Sequence, residues 1–174
     1  MKSTRLIHLI PLIYYVVTRD QVTPRVLARL LGLAPSTTRK LLWSARRAKL
    51  IDYERAENSA LLVRPTPKSL QLVGSIEFFA RRRNKIVLVM GGAIIYAVIR
   101  PRKGIRAIPV PLDKLCQVYK YKREGEKSKA IATKLTLSLK TVSLLERVLQ
   151  TMGCPSPSCP LNKLCNELRD RDKE

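Results

Sequence analysis

The residues from Thr23 to Leu42, TPRVLARLLGLAPSTTRKLL, constrain the fold more tightly than any other part of the chain. They predict two short helices joined by a tight turn. Thr23 can cap the first helix with its hydroxyl, and Pro24 fills the first helical position, where a missing N–H costs nothing. Val26, Leu27, Leu30 and Leu31 recur at helical spacing, and Ala28 is small enough for another helix to approach closely. Gly32 can end the helix in the left-handed conformation that other residues adopt only at a cost. A second helix then starts at Pro35 or Ser36, with Thr38, Leu41, Leu42 and Ala45 on its buried side.

The residues downstream sharpen the pattern. Leu50–Arg55 and Ala60–Arg64 are two strand-like runs around a polar Glu57-Asn58-Ser59 turn, and Pro65-Thr66-Pro67-Lys68 reads as the capped start of another helix. Small Ala28, turn Gly32 and apolar Leu41 resemble a helix-turn-helix. With the hairpin behind it, the region of roughly residues 1 to 80 is similar to winged-helix regulators of the MarR and related types. That resemblance implies a fold and nucleic-acid contact. It implies no particular target.

At 100° per residue, Ser36, Lys40, Trp43 and Arg47 fall opposite the buried side of the second helix, flanked by Arg39 and Arg46. A recognition helix presents such a face to the major groove, where Arg and Lys reach guanine edges or phosphates. Ser36 and Thr37 at the helix start are candidate phosphate holders, Trp43 is a candidate DNA contact that either stacks or, as favoured, packs against the wing, and Arg55 and Arg64 are expected to reach the DNA from the wing. The net charge of +21 agrees, since it calls for an acidic polymer or surface as partner. Duplex DNA is favoured over RNA, because the paired aromatics of single-strand binders are missing.

Ahead of this motif, residues 4 to 18 should supply the first helix, restarted by Pro11 or preceded by a short strand. His8, the only histidine, has no neighbour that would make it a general acid or base, so it reads as structural. Behind the motif, a helix is expected over Lys68 to Ala80. Its stripe of Leu70, Leu72, Val73, Ile76 and Phe79 could form a homodimer contact or pack on its own domain. Arg81-Arg82-Arg83-Asn84-Lys85 reads as a boundary. Ile86–Met90 and Ala93–Ile99, separated by Gly91-Gly92, form a hairpin that needs a partner surface, whether a strand from Ile105 to Val110, the junction of the two modules or a dimer contact, and Arg100, Arg102, Lys103 and Arg106 form a basic connector able to lie along a phosphate backbone.

A second helical module begins at Leu112. Its string IATKLTLSLKTVSLLERVL resembles the helix-turn-helix of sigma-factor and response-regulator output domains. Ala132 holds the small position and Val142 and Leu145 the inward ones, while Thr136 stands where glycine is common. The resemblance implies that Lys140, Ser143 and Arg147 face outward as a second reading face, with Thr141 and Leu144 beside them.

Cys154, Cys159 and Cys165 crowd a proline-rich segment, and Cys116 lies on the first helix of the same module. Four thiolates could hold an iron–sulfur cluster or, less in keeping with the spacing, zinc. Cys159-Pro160 and Cys165 resemble the cluster loop of archaeal transcription factor E beta and its RNA polymerase III relative, although the gap before Cys159 is longer and no cysteine follows Cys165. Disulfides such as Cys154 to Cys165, free thiols and no cofactor at all remain open.

The expected fold is mainly α with small β-hairpins: a winged helix (1–83), a β-hairpin and basic connector (84–111), and a helix-turn-helix module with a Cys-rich loop (112–174). No nucleophile with its base, phosphate loop or clustered carboxylates point to an enzyme. The apolar run from Ile86 to Ile99 is too short for a membrane span, and a cytoplasmic location is expected. The function read from the sequence is a transcription regulator binding duplex DNA through both motifs. Its rival is a component of a larger machine that touches RNA polymerase or other transcription machinery.

Overall fold

The computed structural model describes residues 6–19 and 21–171, with side chains through residue 167. Thr4, where the sequence places the start of the first helix, lies outside the described residues. Helix α1 (Ile10–Thr18) carries Pro11 in its first turn, and the residues before it form a turn with no strand in 6–9. Helices α2 (Pro24–Leu31) and α3 (Pro35–Arg47) form by the expected chemistry. Thr23 accepts from the Val26 N–H at 3.2 Å, and Gly32 closes α2 at φ +68°. The expected wing corresponds to the hairpin of β1 (Ile51–Arg55) and β2 (Leu61–Pro65). Its N–H at Val63 also donates to the Val22 carbonyl at 2.7 Å, which ties the wing to the entry of α2.

The centre of the molecule overturns the mainly α expectation. A four-stranded antiparallel sheet, ordered β3-β4-β5-β6, runs through β3 (Ile76–Arg82), β4 (Lys85–Met90), β5 (Ala93–Arg100) and β6 (Gly104–Val110). The helix expected to reach Ala80 stops at Gly74, as α4 (Pro67–Gly74), and the chain turns directly into β3. A bulge between Ile76 and Phe78 explains the misreading. It places Ile76 and Phe79, three residues apart, in the same core, and that spacing imitates a helical turn. The expected hairpin of Ile86–Met90 and Ala93–Ile99 forms the middle of this sheet, and the basic connector becomes its edge strand and last turn.

Alternation along the strands shows why the middle of the chain is apolar at nearly every position. Ile86, Leu88, Ile95, Ala97, Ile99, Ile105 and Ala107 join the core of the N-terminal helices and the β1–β2 hairpin, whereas Val87, Val89, Ile94, Tyr96 and Val110 join the core of the C-terminal helices. Each face is covered by a different unit, so both sets of side chains leave water. Burying one such Leu or Ile contributes about 1.5–3 kcal/mol. Tyr14 stacks on Phe79 at 3.8 Å and Tyr15 meets it edge-on, seating α1 against β3. At the other edge, His8 Nδ1 accepts the Ala107 N–H of β6 at 2.8 Å, a structural task that satisfies an exposed strand edge. Within the basic run, Arg81 is not a freely solvated residue. It is half-buried, and its guanidinium donates to the Leu30 carbonyl and the Tyr15 hydroxyl, fastening β3 to the end of α2.

On the far face of the sheet lie α5 (Leu112–Arg123), α6 (Ser128–Lys134), α7 (Leu139–Met152) and α8 (Leu161–Arg171). Ser138 caps α7 by accepting from the Thr141 N–H at 3.1 Å. The turn between α6 and α7 holds Thr136 at φ +52°. A β-branched residue is strained in that left-handed backbone, while glycine is not. Thr136→Gly should therefore stabilise the protein by about 1 kcal/mol, after allowing for glycine's freedom in the unfolded chain. Thermal unfolding would show this as a raised midpoint.

Candidate nucleic-acid interface

Helix α3 is amphipathic in the sense a reading helix needs. Thr37, Thr38, Leu42 and Ala45 are buried, and Leu41 is half-buried. Ser36, Arg39, Lys40, Trp43, Ser44, Arg46 and Arg47 share the opposite arc and are exposed. That arc carries four cations and no acid.

Two expected roles change in the folded chain. Thr37 is only 9% exposed, with its methyl group against Gly104, so it supports α3 from below and is not placed to hold a phosphate. Trp43 does not pack against the wing. It is 60% exposed at the centre of the basic arc, with the Arg47 guanidinium 4.6 Å from its ring centroid. An exposed indole between cations has both an apolar face and an N–H to offer a base or sugar.

Both flanks of α3 are held by hairpins. On one side, Arg46 lies 5.3 Å from the Tyr53 ring and 3.8 Å from the Asp52 carboxylate of β1. Burial raises the Tyr53 hydroxyl above its usual pKa, an effect that Arg46 opposes. On the other side, the turn between β5 and β6 meets the start of α3. The Ala34 N–H donates to the Pro101 carbonyl at 2.8 Å, and Gly104, at φ +92°, lies against Thr37 and Leu41. Arg100, Arg102 and Lys103 of that turn are exposed. They stand beside the end of α3 that enters a groove in helix-turn-helix complexes. The sequence signals this group only as basic residues among prolines, because its neighbour in space lies some sixty positions away.

The wing contributes less charge than expected. Arg55 is exposed, but Arg64 is paired with Glu54 across the hairpin, and Asp52 and Glu57 add further negative charge.

The second motif lies across the sheet from the first. α7 packs on β3 and β4, whereas α3 touches β6 from the other face. Lys140 and Arg147 are exposed, and Thr141, Ser143 and Leu144 are half-buried. Arg147 also lies close enough to Tyr96 of the sheet to oppose the rise that burial causes in that hydroxyl's pKa. Glu146 is tied to Lys122 at 3.1 Å and to the Ser128 hydroxyl at 2.6 Å, which fixes α7 to α5 and α6.

The four cysteines form two pairs. Cys116 on α5 is bonded to Cys165 on α8, with Cα atoms 5.6 Å apart, and Cys154 to Cys159 within the loop between α7 and α8, at 5.3 Å. This pairing lends no support to the four-ligand set of Cys116, Cys154, Cys159 and Cys165, and it differs from a Cys154 to Cys165 disulfide. Cys116 faces α8. Among the described residues no group of three or more Cys, His, Asp or Glu is arranged to hold a metal, so the arrangement gives no support to a cluster. The Tyr119 hydroxyl donates to Asn162 Oδ1 at 2.7 Å, a second tie between α5 and α8.

No family model matches the chain, and neither a curated protein nor a solved structure does. Among the described residues no helix is long and apolar enough to cross a membrane.

Proposed function

We propose that the chain is a DNA-binding transcription regulator that holds duplex DNA through the outer face of α3. The observation that carries this reading is the arc of Arg39, Lys40, Arg46 and Arg47 around exposed Trp43, set on the second helix of a helix-turn-helix and free of acidic residues. Phosphate contacts from the cations supply affinity, and the side chains nearest the groove floor supply discrimination. A cytoplasmic location goes with this role, in a cell of the hyperthermophilic kind whose intracellular proteins keep disulfides. α7 is the second reading helix, with fewer cations than α3. The disulfides act as crosslinks of the C-terminal helices.

The rival reading, a component of a larger transcription machine, has one observation in its favour. α7 faces away from α3 across the sheet, and its exposed Leu139 offers a protein partner an apolar contact.

Fluorescence anisotropy with random-sequence duplexes, followed by selection of bound sequences, tests the proposal. A regulator should bind duplex more tightly than a single strand of equal length, lose affinity steeply with salt, and enrich a defined sequence. Lys40→Ala or Arg47→Ala should then erode discrimination. No duplex binding at low salt would end the proposal, and binding without enrichment would favour the machine component.

A further inference from the structure

The central sheet is electrically polar along its strands. From Phe78 to Leu112 the chain contains no Asp or Glu. Both hairpin turns at one end are basic: Arg82-Arg83-Asn84-Lys85 joins β3 to β4, and Arg100-Pro101-Arg102-Lys103 joins β5 to β6. The opposite end turns through uncharged Gly91-Gly92.

The two basic turns form one surface. The Ile99 N–H donates to the Asn84 carbonyl at 2.7 Å, and the Asn84 side-chain amide donates to the Ile99 carbonyl at 3.2 Å. Pro101 is bonded to Ala34 at the start of α3, and Arg81 to Leu30 at the end of α2, so this surface adjoins the turn of the helix-turn-helix. Arg82, Arg83, Arg100, Arg102 and Lys103 are exposed. Arg83 sits at φ +55°, where glycine or asparagine would be at lower cost, yet a cation occupies the position.

We infer that this end of the sheet is a phosphate track that continues the α3 site, so that the duplex held by α3 runs on across the strand ends. The inference rests on the duplex-binding reading of α3. Four strand ends at a spacing of about 4.8 Å span about 14 Å, enough to meet more than one phosphate of a duplex strand. The partner is duplex backbone next to the α3 site, contacted without regard to sequence.

The test is the salt dependence of binding to a 24-base-pair random duplex, by fluorescence anisotropy, for three variants of the full chain. Each lost phosphate contact flattens the plot of log affinity against log salt by about 0.9. Arg82→Ser, Arg83→Gly, Arg100→Ser and Arg102→Ser combined should flatten it by about 3 and lower affinity at moderate salt by a factor of ten or more. Arg83→Gly alone should flatten it by about 1 while the thermal midpoint stays at or above that of the unaltered protein, since glycine relieves the backbone there. The third variant, Arg39→Ala with Lys40→Ala, reports on α3. An unchanged slope in the combined variant beside a reduced one in the α3 variant would overturn the track and leave the α3 reading standing. The reverse pattern would overturn the α3 reading and with it the track as a continuation of α3, leaving duplex contact at the strand ends alone. No duplex binding by the unaltered protein would overturn both.

Discussion

Replacing Arg39 and Lys40 together by alanine is expected to weaken duplex binding about a hundredfold, close to 3 kcal/mol, with no change in thermal stability. Both side chains are exposed on the first half of α3, the part of a recognition helix that reaches deepest into the groove. Among the described residues neither is paired with an acid, so their charge is free for a phosphate or a guanine edge. Arg64→Ala makes the contrast. Its guanidinium is already engaged by Glu54, so the same assay should register less than about 1 kcal/mol. Equal effects of the two changes would mean that binding tracks overall charge and not the face of α3.

Breaking the Cys116–Cys165 bond is expected to cost about 4 kcal/mol of stability, because it closes a loop of 49 residues in the unfolded chain. Cys154→Ser should cost about half as much, since that bond closes a loop of only five. Urea unfolding of Cys116→Ser and Cys154→Ser, with and without reductant, separates the two. Reductant should lower the midpoint of the unaltered protein and leave a Cys116→Ser, Cys154→Ser double variant unmoved. α8 should loosen first, because beyond the disulfide it is held mainly by Leu161, Leu164 and the Tyr119–Asn162 hydrogen bond. Hydrogen exchange should therefore quicken in residues 161–167 while duplex affinity through α3, on the other face of the sheet, is kept. A brown, iron-containing protein purified without oxygen would reverse the disulfide assignment.

The features legible in the sequence are those whose cause is local. Thr23, Pro24 and Gly32 bound α2 through capping and backbone preference, Ser138 starts α7, and the outward arc of α3 arises from 100° per residue. Each depends on residues within about one helical turn, so spacing alone reveals it. Thr136 is legible as well, because a positive φ is needed wherever that turn forms. The strand β3 is not legible, since its bulge gives Ile76 and Phe79 the three-residue spacing of a helix.

The remaining features depend on contacts that form only in three dimensions. Periodicity shows that Ile86–Ile99 is apolar, but not that Leu88 faces the N-terminal helices and Val87 the C-terminal helices. It cannot tell that Cys116 meets Cys165, that Arg81 reaches Leu30, or that Arg102 stands beside the start of α3. These juxtapositions join residues that chain connectivity leaves far apart. They arise because burying both faces of one sheet draws its two flanking units together, and that condition is met only by the folded chain as a whole.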